Sequence, residues 1–180
     1  MRKYIKPPLV LMIITAVTVG LLILVHEFTY VDKSGNISYL TSDIEETLGK
    51  DNYVLSDFNF DGVYKTITGD NKSGIAFEVI TKGYNSDGID VLVIISDGKV
   101  LSVKPVAINE TPGLGTNVES DSFLSQFVGK TKSVTAVKAN AKDDEINAYT
   151  GATKSSKGVT NAVNIALNAY NSAKEAGKVD

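Results

Sequence analysis

Residues 89–107 read IDVLVIISDGKVLSVKPVA, and their pattern indicates the fold class. The nearly continuous apolar run Ile89–Ile95 is typical of a central strand that is covered on both faces. Ser96-Asp97-Gly98 is a turn signal, and Lys99–Ala107 follows it at once as a second strand. The stretch therefore predicts a β-hairpin. Pro105 further predicts that the second strand lies at a sheet edge or is bulged near its end.

The flanking segments extend this hairpin into a sheet with helices. Upstream, residues 62–68 (GVYKTIT) and 75–81 (IAFEVIT) are rich in β-branched and aromatic residues and predict two more strands. Downstream, residues 119–128 predict a short helix with a buried face, and residues 133–138 predict a strand. The buried face of that short helix comprises Phe123, Leu124 and Phe127.

Two helices with an apolar stripe complete the pattern. Leu40, Ile44 and Leu48 recur every four residues, with Thr41 or Ser42 as a cap and Gly49 as the end. The closing helix is predicted from about Ser156. Its stripe is Val159, Ala162, Val163, Ala166, Leu167 and Tyr170. The predicted class is α+β, with a mixed or antiparallel sheet packed against helices.

Composition excludes several kinds of site. The 180 residues include no cysteine and one histidine, His26, so disulfides, cysteine-ligated metals and a Ser-His-Asp triad in the globular part are ruled out. The formal net charge is −3 and no basic stripe is present, which argues against a nucleic-acid partner. Asp143, Asp144 and Glu145 could bind Mg²⁺, but a solvated turn is the simpler interpretation.

The N-terminal segment predicts a membrane anchor. Leu9–Val25 contains no charged residue, which suits a single transmembrane helix over residues 9–26 in contact with lipid. Arg2, Lys3 and Lys6 precede it, and the positive-inside bias puts the N-terminus in the cytoplasm. We favour a retained anchor over a cleaved signal peptide, because the apolar run is long and no small-residue cleavage site follows it.

These signals divide the chain into four parts. Residues 1–8 are a cytoplasmic N-terminus, 9–26 the span, 27–37 a linker, and 38–180 a domain on the extracytoplasmic side of the cell membrane. The predicted protein is therefore a single-pass membrane protein.

Residues 147–156, NAYTGATKSS, are a candidate binding segment directly before the closing helix. Gly151 lets the backbone approach a ligand closely, and a helix start suits a phosphate. Thr150, Thr153 and Ser155 supply hydroxyl groups beside it. The competing interpretation is that Ser155 and Ser156 are ordinary N-caps.

Two motifs carry a family resemblance. Thr150-Gly151-Ala152-Thr153 resembles the (S/T)GAT flavinylation motif of FMN-binding domains, found in the RnfG subunit of Rnf electron-transport complexes and in the NqrC subunit of sodium-pumping quinone reductases. Residues 110–115 (ETPGLG) resemble the corresponding loop of RnfG-like proteins, and residues 126–130 (QFVGK) follow as in that family. One departure is Asn147, where the family usually has Asp.

The resemblance implies a covalent flavin. In that family a dedicated flavin transferase moves FMN from FAD onto the last threonine of the motif, which is Thr153 here, and forms a phosphoester. The resemblance also implies that Thr150, Gly151, Ala152 and Ser155 contribute to the cofactor site. From the upstream loop the site residues are Glu110, Thr111, Gly113, Leu114 and Gly115. Glu110 would orient or hydrogen-bond the flavin; the alternative is a solvated loop acid.

The implied function is electron transfer within a larger membrane redox complex, whose other subunits are the partners. The whole complex would couple ferredoxin–NAD⁺ electron transfer to Na⁺ or H⁺ movement. Two alternatives stay open: an NqrC-like subunit of a Na⁺-pumping NADH–quinone reductase, and a membrane-anchored binding module without covalent flavin. Lys154 and Lys157 are candidate partners of the phosphate.

Overall fold

The structure is a computed structural model that describes residues 6–29, 35–86 and 88–177. Its two compact units are residues 1–36 and residues 37–180. In the first unit, helix α1 covers Lys6–Thr29, and its large apolar side chains from Leu9 to Ile23 are exposed. Across the residues that the structure describes, no helix combines the length and apolar character that crossing a membrane requires. Arg2 and Lys3, whose charges contribute to the predicted orientation, lie outside the described residues.

The second unit is built on an antiparallel five-stranded sheet. The strands are β1 (Tyr53–Leu55), β2 (Lys65–Gly69), β3 (Ile75–Thr81), β4 (Ile89–Ser96) and β5 (Lys99–Ile108). They pair in the order β1-β2-β3-β4-β5. The predicted hairpin is confirmed as β4 and β5. Its two-residue turn has positive φ at both Asp97 (50°) and Gly98 (73°), the combination that suits the twist of a tight hairpin.

A helix covers each face of the sheet, which explains the uninterrupted apolar run of β4. Helix α2 (Ser38–Leu48) packs on one face, where Leu40 and Ile44 meet Leu92 and Ile94. Helix α4 (Thr153–Glu175) packs on the other face against the remaining apolar residues of β3 and β4. All six residues of its predicted stripe are buried. The α+β class is therefore confirmed.

Both predictions made from Pro105 are confirmed. Strand β5 is the last strand of the sheet, and its register against β4 shifts between Asp90 and Val91. Val91 lies opposite Pro105 whereas Asp90 lies opposite Ala107, so one residue of β5 is bulged out. A proline without a backbone N–H is tolerated in a sheet at such a place.

Several predicted boundaries need correction. The 119–128 helix is broken into a 3₁₀ turn (Gly115–Glu119), helix α3 (Asp121–Leu124) and a second 3₁₀ turn (Ser125–Phe127). Its predicted buried residues are nevertheless buried. The 133–138 strand is β6 (Thr135–Val137), which pairs in parallel with β7 (Glu145–Asn147) instead of joining the main sheet.

Two predicted helix starts are also wrong. Helix α2 begins at Ser38 after Ile37, which makes no side-chain cap hydrogen bond, so neither Thr41 nor Ser42 caps it. Helix α4 begins at Thr153, three residues before the predicted start. The prediction for α2 followed the residue types that favour caps. The prediction for α4 followed the apolar stripe, which begins later than the helical backbone does.

A buried ionic cluster lies between α2 and the sheet. Lys65 and Glu78 are directly opposite each other on β2 and β3, with Nζ and Oε2 3.3 Å apart. The Tyr39 hydroxyl of α2 donates to Glu78 at 2.6 Å. Burial, together with this hydrogen bond, raises the pKa of Tyr39 above its ordinary value. The hydroxyl therefore keeps its proton and links α2 to the sheet.

Candidate functional site

The predicted cofactor motif forms a turn that leads directly into α4. The Ala152 N–H donates to Tyr149 O at 2.9 Å, and Gly151 has φ of 84°, a conformation that glycine adopts without strain. Helical bonding begins with the Ser156 N–H donating to Ala152 O at 2.8 Å. Thr153 is exposed and is the first residue of the helix. The motif therefore presents the Thr153 side chain to solvent at a helix N-terminus.

The two serines after Thr153 do not cap this helix. Its N-cap residue is Ala152, which makes no side-chain cap hydrogen bond. The Ser156 hydroxyl donates to Ala152 O and accepts from the Tyr149 N–H, both at 2.9 Å. The Ser155 hydroxyl donates to Glu110 at 2.8 Å. The N-cap interpretation of these serines is thus wrong, and the helix start keeps N–H groups that suit an anion.

Glu110 is buried, so the interpretation as a solvated loop acid is also wrong. Its side chain is 6% exposed. Its carboxylate accepts hydrogen bonds from the backbone N–H groups of Tyr84 and Asn85, at 3.0 and 3.1 Å. With the bond from Ser155, it connects the loop after β3, the loop after β5 and the start of α4. Three separate segments of the chain therefore meet at one side chain.

A cavity of about 520 Å³ opens where these segments meet, and we call it the helix-start pocket. It is lined by Tyr84, Glu110, Thr111, Leu114, Gly115, Gly151, Ala152, Thr153, Lys154 and Ser155. Two large side chains at this pocket are exposed, Tyr84 at 67% and Leu114 at 52%. The Lys154 ammonium lies 5.0 Å from the centre of the Tyr84 ring. The pocket thus combines an uncapped helix start, a cation and two apolar side chains.

Most residues predicted for the cofactor site line this pocket, although they come from two distant parts of the sequence. The exceptions are Thr150 and Gly113. Thr150 lines a neighbouring cavity with Gln126 and Asn147. Gly113 is exposed and has φ of 72°, so it shapes the turn of the 110–115 loop.

Sequence reasoning missed Tyr84 as a pocket residue. It follows β3 in a loop whose pattern shows only turn residues, and its position depends on a contact with Glu110, 26 residues further along the chain. The sequence contained one signal for Tyr84, an aromatic side chain directly after Gly83 among turn residues. Lys154 was predicted as a phosphate partner and lies at the pocket, whereas Lys157 does not line it.

Asn147 has a defined local role. Its side-chain oxygen accepts from the Ala141 N–H at 3.0 Å. Its backbone N–H donates to Gln126 Oε1 at 2.8 Å, and the Gln126 amide donates back to Asn147 O at 3.2 Å. An aspartate carboxylate could accept the same bond from Ala141. Asn147 therefore preserves the acceptor that the family's usual Asp would provide.

The acidic run before the motif takes part in the fold. Glu145 lies in β7, and its carboxylate accepts from the Lys142 N–H at 3.0 Å. Asp143 and Asp144 are exposed. Over the described ranges, no group of three or more histidine or acidic residues is arranged to hold a metal ion.

Residues 83–168 match the family model of the FMN-binding domain. Over this range the chain is similar to FMN-binding domains. The matched range includes the 110–115 loop and the start of α4, and therefore every residue that lines the helix-start pocket. Both motifs that carried the resemblance lie within the matched range.

Relatives of the FMN-binding domain come from ion-translocating complexes. A subunit of the proton-translocating ferredoxin:NAD(+) oxidoreductase complex of Clostridium ljungdahlii is 45% identical over 89 residues, which are 48% of this chain and 48% of that protein. A subunit of the Na(+)-translocating ferredoxin:NAD(+) oxidoreductase complex of Acetobacterium woodii is 39% identical over 95 residues, 50% of this chain and 45% of that protein. The chain spans about half the length of the curated relatives it matches.

A solved structure shares the fold. The crystal structure of Shewanella oneidensis NqrC superposes with a TM-score of 0.50 and 21% sequence identity, covering 62% of this chain and 61% of that chain. At this identity the likeness supports the α+β arrangement and nothing about the ligand.

Proposed function

We propose that this chain is an electron-transfer subunit of a membrane-bound, ion-translocating complex of the Rnf type, and that it carries FMN through a phosphoester on Thr153. The observation that carries the proposal is the meeting of Thr153 and the 110–115 loop in one pocket of an FMN-binding domain. The names of the relatives, which are subunits of ferredoxin:NAD(+) oxidoreductase complexes, favour the Rnf assignment.

The residues at the helix-start pocket fit FMN. Its volume lies within the ~300–1,000 Å³ that is typical of small-molecule sites. The N-terminus of a 23-residue helix and the Lys154 cation suit a phosphate. Tyr84 and Leu114 offer apolar surface for a ring system, and Thr153 is exposed to a modifying enzyme. Each chemical part of FMN therefore has matching groups.

Attachment is a phosphoryl transfer in which FAD is the donor substrate of a separate flavin transferase. Thr153 Oγ forms a bond to the phosphorus of the FMN half of FAD, and the pyrophosphate bond of FAD breaks. AMP leaves with the bridging oxygen, and the threonine proton is lost to water. The chain needs no nucleophilic catalyst of its own, because the transferase activates the hydroxyl.

When bound, FMN accepts and donates one or two electrons. The protein's own residues hold the cofactor and shape its surroundings. Thr153 keeps it from diffusing away, the helix start and Lys154 stabilise the phosphate charge, and Tyr84 with Leu114 limits access of water. An extracytoplasmic domain benefits most from a covalent tether, since free FMN would be lost to the medium.

Membrane anchorage through residues 9–26 is part of the proposal. It is supported by the uncharged run Leu9–Val25, by the exposed apolar side chains of α1 and by the names of the relatives, which are subunits of ion-translocating complexes. The proposed boundaries stay 1–8, 9–26, 27–37 and 38–180, with the FMN-binding domain on the extracytoplasmic side. Other subunits of the complex and the flavin transferase are the proposed partners.

The coupling ion is left unassigned, because the two relatives are named for different ions, H⁺ and Na⁺, at similar identity. An NqrC-like subunit of a Na⁺-pumping reductase is the second candidate, because the motif that Thr150–Thr153 resembles also occurs in that subunit.

Fluorescence after denaturing electrophoresis tests the covalent flavin. The full chain, produced together with the flavin transferase, should give a fluorescent band under ultraviolet light. Thr153→Ala should remove the band, whereas Thr150→Ala should retain it because Thr150 lies outside the helix-start pocket. A wild-type band without fluorescence would contradict the proposal.

A further inference from the structure

Glu110 is a buried carboxylate to which three protein donors bond. Oε1 accepts from the N–H groups of Tyr84 and Asn85, and Oε2 accepts from the Ser155 hydroxyl and shares the Tyr84 N–H. An ionised carboxylate offers about four acceptor positions. The protein itself therefore occupies most of the acceptor positions of Glu110.

Three glycines leave room for this carboxylate. A Cβ at Gly88 would lie 1.9 Å from Glu110 Oε1, and one at Gly83 would lie 2.3 Å from the same atom. A Cβ at Gly115 would lie 2.8 Å from Glu110 Oε2. None of these glycines has the positive φ that would itself require glycine. At all three positions, Glu110 is therefore the nearest neighbour that an added side chain would meet.

The segments that Glu110 joins are the walls of the helix-start pocket. Tyr84 lies on the loop whose backbone Glu110 holds, Leu114 lies on the loop to which Glu110 belongs, and Ser155 follows Thr153 in α4. The Tyr84 and Leu114 side chains are exposed, so neither holds its loop by being buried. Hydrogen bonds to the Glu110 carboxylate connect both loops to the helix start, and the Asn85 side chain adds a bond between the loops, to Asn109 O.

We propose that Glu110 is a positioning residue that fixes the Tyr84 loop against the start of α4 and thereby sets the shape of the pocket around the flavin, without contacting the flavin. This inference rests on the proposed function for the identity of the ligand. It differs from the role that the family resemblance implied, in which Glu110 itself orients or bonds the flavin.

The first experiment needs no flavin. Glu110→Gln keeps the size of the side chain but turns an acceptor into an NH₂ donor that faces N–H groups. In the full chain, hydrogen exchange at the Tyr84 and Asn85 amides should become roughly tenfold faster or more. Glu119→Gln, at an exposed glutamate, should leave these rates unchanged. Unchanged exchange in Glu110→Gln would overturn the inference.

The second experiment reads the flavin directly in chains loaded with FMN by the transferase. In Glu110→Gln chains that intact mass shows to carry FMN, the flavin should show lower fluorescence anisotropy and a changed visible circular dichroism spectrum. These two signals report the mobility of the flavin ring and its surroundings in the pocket. Identical flavin signals in the two proteins would contradict a positioning role.

Gly88→Ala alone covers the case in which Glu110→Gln does not fold, and a double-mutant cycle then assigns its effect to Glu110. Gly88→Ala places a methyl group against the carboxylate, so it should disturb the flavin spectrum of the wild type. In a Glu110→Ala background that methyl group has room, and the same substitution should have a smaller effect. Equal effects of Gly88→Ala in both backgrounds would overturn the inference.

The outcomes separate this inference from the proposed function. A wild-type chain without FMN would refute the proposed function, while amide exchange would still decide how Glu110 holds the loop. If wild type carries FMN and Glu110→Gln shows unchanged amide exchange and flavin signals, the inference about Glu110 is refuted and the proposed function is not.

Discussion

Glu78 and Glu110 are both buried carboxylates, but the molecule holds them in different ways. Glu78 faces α2 and is held by side chains: the Lys65 ammonium at 3.3 Å and the Tyr39 hydroxyl at 2.6 Å. Glu110 is held by two backbone N–H groups and a serine hydroxyl. Lys65 and Glu78 are buried away from solvent, whereas Glu110 lines the open helix-start pocket.

We expect Glu78 to contribute mainly to the stability of the fold, and Glu110 mainly to the shape of the helix-start pocket. Removing one member of a buried ion pair lowers the free energy of unfolding strongly, because the remaining charge is left unpaired in the interior. A carboxylate that binds the backbone of loops fixes where those loops lie. We therefore expect changes around Glu78 to act on the free energy of unfolding, and changes around Glu110 to act on the bound flavin.

The largest expected effect is at Lys65. Lys65→Met leaves Glu78 buried without its ammonium partner and should lower the free energy of unfolding by about 3–5 kcal/mol. Folded chains should still carry FMN on Thr153. Denaturant unfolding and the FMN content per chain measure the two quantities.

The matched control removes both charges. Lys65→Met combined with Glu78→Leu should be markedly more stable than Lys65→Met alone, since no unpaired charge remains. Exposed ion pairs contribute less than about 1 kcal/mol to stability. If Lys65→Met lowered the free energy of unfolding by no more than that, Glu78 and Glu110 would not differ as we expect.

A smaller effect is expected at Asn147, where an acceptor again holds a backbone N–H. Asn147→Ala removes the bond from Ala141 and should cost about 1 kcal/mol of stability, with less complete flavin loading. Asn147→Asp keeps an acceptor and should load as well as wild type. Intact mass after limited exposure to the transferase gives the loading. Strongly increased loading in Asn147→Asp would show that the transferase requires a carboxylate there.

The smallest effect is confined to alkaline pH and concerns Tyr39. Its pKa is raised above the ordinary value of 10.0 by burial and by Glu78, so above pH 10 the unfolded chain loses a proton that the folded chain keeps. Stability from this group is full below pH 10 and falls as pH rises beyond it. In Tyr39→Phe the decline in stability above pH 10 should be shallower than in wild type. Parallel curves for the two proteins would contradict the raised pKa.

Local patterns in the sequence were sufficient for the sheet centre and the closing helix. Strands β3 to β5 and the stripe of α4 follow from periodicity and turn residues within short windows. Strands β1 and β7 have three residues each, too few to establish a period. The pairing of β6 with β7 also depends on residues outside either segment.

The candidate site was only partly predictable for the same reason. The residues of both motifs could be named from sequence, but their mutual arrangement could not. Glu110 bonds to residues 25 and 45 positions away, and nothing local shows that its carboxylate is buried. Gly83 and Gly88 carry no local signal of their role either, since each leaves space for Glu110, more than twenty positions further along the chain.

Mass spectrometry of peptides from the native, membrane-derived protein tests the covalent flavin on Thr153 most directly. We expect the peptide containing residues 147–157 to carry one FMN, bound to Thr153. Recovery of that peptide without modification, from a protein assembled in cells that have the transferase, would show that Thr153 does not carry FMN.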